Sequence, residues 1–326
     1  MEIFQPVAAS YAAFAGEAVD SPCFRDWASA VAEDPEIAAL IGTLPEIKQQ
    51  ANLVFAAARW HGVPAPGPYA GLRAALLADW DTIRATVMSR STQTNEVGRL
   101  ATLTPVFAGL DQPLALIEVG ASAGLCLYPD RWGYAWTHED GRTTTLAGPG
   151  GRPPLPCAVT GDPPLPTALP QVAWRAGIDL NPLDVTDPDA MAWLQVLVWP
   201  EQAERRERLA AAIEVARTEP PYLRRGDLLT ELPALLDEVP AGTWPVVFHS
   251  AVIAYLQGPD RERFHDLMTG LVADGRCTWV SNEGPRVLPT VAATGPQPPA
   301  GPWFTLGVDG RAVGHAHGHG RGLHWL

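Results

Sequence analysis

The sequence predicts an α/β protein with a helical N-terminal region, on three observations. Apolar residues recur at helical spacing through roughly the first 110 positions, where no alternating segment reads as a strand. From Pro113 onward, short apolar runs alternate with helical stretches, the pattern of a mostly parallel sheet covered by helices. Near the end, Asp309-Gly310 separates two further runs and favours a tight antiparallel hairpin.

Each element has its own signal. Ser21-Pro22 and Asp34-Pro35 pair an N-cap residue with proline at the first helical position. Asn52 to Trp60 and Gly71 to Met88 continue at period 3.6, separated by a Pro- and Gly-rich loop over 61–68. Thr94 is the expected N-cap of a helix from Val97 to Leu110, with Glu96 in its first turn. Pro113 to Val119 reads as the first strand, apolar enough to be buried on both faces. Strands are then expected at Val172–Asp179, Tyr222–Asp227, Trp244–His249 and Arg276–Ser281. Helices are expected at 187–199, 201–217, about 228–239 and 259–273. The closing hairpin spans Trp303–Val308 and Arg311–His319. This implies a helical region over 1–111 and an α/β domain over 112–326. A Pro- and Gly-rich insertion at about 129–170 carries a small hairpin.

Composition narrows the function classes. The chain has 326 residues, 47% of them hydrophobic, enough for a substantial core. A net charge of −13 repels phosphate backbones and argues against nucleic acid as a partner. The most basic run, Glu204 to Arg208, is interrupted by acids and reads as a solvated helix face. The start lacks the basic and apolar regions of a secretory signal, and no apolar run would span a bilayer. Cys23, Cys126, Cys157 and Cys277 are scattered without a C-x-x-C pair. These features together predict a cytoplasmic protein with reduced thiols and no membrane partner.

The stretch Glu118-Val-Gly-Ala-Ser-Ala-Gly124 admits two readings. Gly120-x-Ser122-x-Gly124 fits the elbow that presents a nucleophilic serine, with Asp227 or Asp260 and His317 as formal triad partners. It also fits the acidic, glycine-rich turn that receives a nucleoside cofactor after a first strand. In an α/β-hydrolase the elbow follows several strands, whereas here it follows the first. The cofactor reading gains from Asp179 at the end of the second strand, where a carboxylate can accept ribose hydroxyls, and from Asp227 after the third.

Residues 112–326 thereby resemble the class I S-adenosylmethionine-dependent methyltransferases. The resemblance implies a Rossmann-like, methyltransferase-type sheet, mostly parallel with an antiparallel terminal hairpin. It assigns Glu118, Gly120, Ser122 and Gly124 to the cofactor's methionine end, Asp179 to its ribose and Asp227 to its adenine. Ser122 stands where that loop has glycine, which a serine can replace if its φ is negative. A second resemblance covers nearly the whole chain. Gln93 to Arg99, Glu118 to Gly124, Gly177 to Asp184, Trp193 to Glu201 and Val247 to Ser250 are similar to an uncharacterised, largely actinobacterial family. That family is catalogued as domain of unknown function twenty-three thirty-two, and its name carries no activity.

Other polar residues are candidates on position alone. His249 ends an apolar strand, where ligands bind in open α/β sheets and an imidazole can act as general base. A half-buried structural histidine is the alternative. Asn95, Glu96 and Arg99 are expected over the cofactor or substrate, with Glu96 a second candidate base and Arg99 a bidentate clamp on a carboxylate. Tyr255 and Glu283 lie on the same edge. His315, His317 and His319 share one face of a strand and are candidate metal ligands, with an exposed polar edge strand as the alternative. The expected function is methyl transfer from S-adenosylmethionine to a small molecule. The alternatives are elimination or cyclisation on the same fold, and a non-catalytic role with a protein partner or a second copy of the chain. A serine hydrolase using Ser122 is the most distant reading.

Overall fold

The fold follows from where proline, glycine and apolar runs fall. A computed structural model describes residues 6–93 and 95–326. Thr94, the expected N-cap, lies outside the described residues. Six helices come first: α1 (Val7–Glu17), α2 (Pro22–Glu33), α3 (Pro35–Ile41), α4 (Ala51–Trp60), α5 (Tyr69–Ala78) and α6 (Trp80–Ser89). Then come α7 (Leu100–Ala108), β1 (Leu114–Val119), β2 (Tyr134–His138), β3 (Thr143–Leu146), β4 (Leu155–Thr160) and β5 (Val172–Asp179). The chain continues through α8 (Pro188–Leu197), α9 (Ala203–Thr218), β6 (Tyr222–Arg225), α10 (Leu228–Leu236) and β7 (Trp244–Ser250). It closes with α11 (Gly258–Ala273), β8 (Thr278–Glu283), α12 (Pro289–Ala292), β9 (Trp303–Val308), β10 (Arg311–His317) and β11 (Gly322–Trp325).

Contacts divide the chain into two compact units, Met1–Thr94 with Thr186–Ala211, and Asn95–Val185 with Ala212–Leu326. The helical unit ends short of the expected boundary at 111 and takes in the segment around α8. Its caps follow the sequence: Ser21 Oγ accepts from Phe24 N, and Asp34 Oδ1 accepts from Glu36 N and Ile37 N. Trp27 lies between Phe24 and Phe55, with ring centroids 5.7 and 5.4 Å away, and its indole N–H donates to the Gly67 carbonyl. Arg59 donates to the carbonyls of Val196 and Val198, which holds the end of α8 in this unit. The continuous helix expected over 71–88 is two helices, broken at Asp79.

The other unit is built on one sheet of eleven strands, in the order β3-β2-β4-β11-β10-β9-β8-β7-β1-β5-β6. Six of its ten strand pairings are parallel. The run β6-β5-β1-β7-β8 is wholly parallel. Chain order reverses direction at β1, so the carboxyl ends of β1, β5 and β7 border the point where open α/β sheets bind ligands. All six residues of β1 are buried, as an apolar run between two strands and under helices requires. Past β8 the strands turn antiparallel through the Asp309-Gly310 hairpin, whose φ values of 49° and 78° suit a type I′ turn.

Two features differ from expectation. The insertion is more than a loop with a hairpin. Its β2–β3 hairpin is followed by β4, which pairs in parallel with β2 and with β11, so the segment extends the sheet. The short strand β11 lay hidden because Gly-rich flanks and one histidine obscure its alternation. The four cysteines are buried thiols. Among the described residues no helix is long and apolar enough to cross a membrane.

Candidate active site at the carboxyl edge

The site begins with β1. Ile117 and Val119 point into the core, so Glu118 projects to the opposite face. Register places Glu118 beside Gly177 of β5 and Phe248 of β7, and Asp179 and Ser250 are each two residues further along those strands. Ser250 pairs in turn with Asn282 of β8. Glu118, Asp179, Ser250 and Asn282 therefore share one face at the carboxyl end of four adjacent strands. The sequence carries a signal for Ser250, a polar residue closing an apolar strand, and a weaker one for Asn282, in the polar end of β8.

Beyond β1 the chain makes its glycine turn. Gly120 has φ 70° and Gly124 φ 68°. A methyl group on Gly120 would stand 2.4 Å from Val252 Cγ1, so this position needs glycine for its backbone and for space. Ser122 has φ 51°, against the negative value expected of a serine replacing glycine. Left-handed backbone at a non-glycine residue costs about 1–2 kcal/mol and persists only where neighbours enforce it. Here they do: Ser122 N donates to Asp179 Oδ2 at 2.8 Å, and Ser122 Oγ accepts from Asn95 Nδ2 at 2.8 Å. Asn95 Oδ1 accepts from Ala123 N at 3.3 Å. Ala251, just after β7, is held left-handed as well, with φ 59°. The turn does not open into an α-helix. It passes into short 3₁₀ turns at Leu125–Leu127 and Pro129–Arg131.

Asn95, Glu96 and Arg99 lie on this edge with the glycine turn. Glu96 is buried and its Oε1 accepts from Gly98 N, a capping contact. Arg99 is buried, donating from Nε to the Gly318 carbonyl and from Nη1 to the Ser250 carbonyl, at 2.9 and 2.8 Å. Two of its five N–H donors thus go to main chain, and Arg99 braces β7 against the turn after β10. Glu118 is an unsatisfied group of the site, as is Asn282. Its Oε2 is buried and meets no hydrogen-bond partner. Burial pushes its pKa well above the ordinary carboxylate range; Arg99 opposes that shift and Asp179 adds to it. Burial also raises the Cys126 thiol, helped by Glu118, which disfavours a thiolate here.

Asp179 does not cap a helix. Its Oδ1 accepts from Asn181 N at 2.7 Å, and it ties β5 to the glycine turn. Asp227 is exposed and caps α10 through Leu229 N, so it takes the bland role open to an aspartate before a helix. Tyr255 is 75% exposed on the 3₁₀ turn that follows β7.

His249 is corrected from general base to structural residue. It is fully buried, and the Trp279 indole N–H, which can only donate, lies 3.0 Å from Nε2. Nδ1 must then carry the proton, and it donates to Glu283 Oε1 at 2.8 Å. No lone pair is left to take a proton from a substrate. Glu283 Oε1 also accepts from Val252 N and Ile253 N, which positions the Val252 side chain against Gly120.

The histidines near the C-terminus do not converge. His315 is buried and stacks on His324, with ring centroids 6.0 Å apart. His317 and His319 meet each other beyond it. Among the described residues no group of three or more His, Cys, Asp or Glu is placed to hold a metal ion. Nor does a histidine hydrogen-bond Ser122, whose hydroxyl meets an amide, so the nucleophile elbow lacks its base.

No curated protein and no solved structure matches this chain. One family model does, over residues 8–325, and it is described as "Uncharacterized protein conserved in bacteria (DUF2332)". A match across nearly the whole chain makes the protein a member of that family.

Proposed function

We propose that the protein binds S-adenosylmethionine at the carboxyl edge of β1 and β5 and transfers its methyl group to a small molecule. The single observation carrying this reading is Glu118, a buried carboxyl whose Oε2 has no donor at the point where strand order reverses. Such a group needs a donor or a cation, and the ammonium end of the cofactor is both. The strand order about β1 supports it, being that of nucleotide-binding open sheets. Asp179 also fits, since each of its oxygens accepts one backbone N–H and keeps a lone pair for a ribose hydroxyl.

When bound, the cofactor supplies an electrophilic methyl on a sulfonium. The chain's own work is positioning and electrostatics. Asn95 and Asp179 hold the Ser122 turn in its strained form. The His249–Glu283 pair holds Val252 against Gly120. Removal of a proton from an OH or NH acceptor falls to Glu96, because His249 has no free nitrogen. The net charge of −13 favours a small acceptor over nucleic acid. Val97, Leu100 and the rest of the 95–108 segment exclude water on that side.

Titration calorimetry of the dialysed protein with S-adenosylmethionine and S-adenosylhomocysteine tests the reading. Saturable binding at about micromolar concentration is expected, weakened at least about tenfold in Glu118→Gln and in Asp179→Ala. The absence of any heat at about millimolar ligand would remove the cofactor and the transfer together.

A further inference from the structure

Five strands carry an in-register polar row on the face opposite Glu118. Glu283 of β8 pairs with Thr305 of β9, Thr305 with His315 of β10, His315 with His324 of β11, and His324 with Thr160 of β4. Paired residues share a face, and Glu283 meets His249 there. The row is buried at its inner end, where Glu283, Thr305 and His315 are 2%, 5% and 1% exposed, and half-buried at His324 and Thr160.

Its inner members are unsatisfied in sequence along the row. Glu283 Oε2, Thr305 Oγ1 and both ring nitrogens of His315 are buried and meet no partner in hydrogen-bond geometry. Burial and the neighbouring His324 hold the His315 pKa below the ordinary histidine value, with the Pro296 carbonyl opposing them. The outer end is satisfied: His324 Nδ1 lies 2.6 Å from Thr160 Oγ1.

The chemistry of the open valences selects what fills them. Glu283 Oε1 already takes three N–H donors, so Oε2 is the oxygen left to accept from the row, or to carry a proton along it. Thr305 can donate or accept, and a neutral His315 does one at each nitrogen. A metal ion would leave the donors unmatched, and an anion would face the Glu283 carboxylate. Water matches all of them, having two donors and two acceptors of its own.

We propose that this row holds ordered water and forms a proton path from the buried His249–Glu283 pair to the half-exposed end at His324 and Thr160. Each hop breaks one N–H or O–H bond and forms another, so protons move without oxidant or reductant. The path stands independently of any cofactor at the glycine turn.

Two measurements on the full chain decide it. The first is a crystal structure fine enough to show water. The second is solvent exchange of the His249 Nδ1 proton by NMR in the wild type, Thr305→Val and Thr305→Ser. Water bridging Thr305 Oγ1 and His315 is expected in the wild type. Thr305→Val should lose it and slow the exchange by about tenfold, leaving local opening as the remaining route, while Thr305→Ser restores both. A dry row with His315 bonded directly to the Pro296 carbonyl would overturn the proposal, and that outcome is readable from the wild type even if Thr305→Val does not fold. Unchanged exchange after loss of the water would overturn it as well.

Discussion

The two units use their polar groups differently. In the helical unit most of them complete the architecture: Trp27 and Trp193 bury their rings, Trp199 half-buries its own, all three give the indole N–H to an acceptor, and Ser21 and Asp34 cap helices, while the buried Tyr11 hydroxyl is left without a partner. In the sheet unit several buried acceptors gather at the carboxyl ends of neighbouring strands without donors, among them Glu118 Oε2, Asn282 Oδ1 and Glu283 Oε2. Of the three left-handed non-glycine residues among the described residues, two, Ser122 and Ala251, follow strands of that edge. One unit's polar atoms mark where its helices begin and pack. The other's gather along one sheet edge, where a ligand or water can complete them, since buried polar groups ordinarily have a partner.

The contrast predicts how each unit responds to change. Trp27→Ala should cost about 4 kcal/mol in urea or thermal denaturation, the largest effect, because a fully buried ring in contact with Phe24 and Phe55 leaves a cavity the helices cannot fill. A cost below about 1.5 kcal/mol would mean the helical core is loosely packed and the comparison fails. Gly120→Ala should come next, at about 3 kcal/mol, since the new methyl meets Val252 and the backbone must keep φ 70°. Gly71→Ala is its control. Gly71 lies in α5 with nothing near its would-be Cβ, and there the substitution should stabilise by about 0.5–1 kcal/mol. Equal effects at the two glycines would deny that the turn after β1 is specially constrained.

Much of the frame was legible because the signals are local. Apolar runs gave β1, β5, β7 and β8 to within about two residues, and Asp309-Gly310 gave the hairpin. The strands of the insertion were harder to read because Thr143–Leu146 is short and polar and Leu155–Thr160 begins at prolines. Their pairing with β11 joins segments far apart in the chain, and no local pattern encodes that. At the sheet edge, sequence reasoning picked segments that the fold brings together, and misjudged what individual side chains do there. Position at a strand end marks His249 as available, but Trp279 and Glu283 occupy both of its nitrogens, and their approach is a property of packing. Likewise Ser122 was judged by residue type, whereas its φ is set by Asp179 and Asn95, which reach it from distant segments.

The last prediction concerns pH and appears as a slope instead of an offset. Glu118 has its folded pKa raised by burial. In the unfolded chain it titrates near the ordinary value of about 4.3, so above that pH the unfolded state binds fewer protons than the folded one. The sign follows: Glu118 contributes most to stability below the unfolded pKa, and its contribution falls as pH rises toward the folded value. Glutamine resembles the protonated acid at every pH. Glu118→Gln should therefore match the wild type near about pH 4 and gain on it progressively from about pH 5 to about pH 7, as urea midpoints across that range would record. A ligand that brings a cation to Oε2 reverses the preference by stabilising the carboxylate, so saturating S-adenosylmethionine should flatten the wild-type slope and leave the variant's unchanged. Parallel pH profiles for the two proteins without ligand would mean that Glu118 is solvated in the folded state. The contrast between a helical unit whose polar groups mostly cap and pack and a sheet edge that gathers unpaired acceptors would then lose its strongest member.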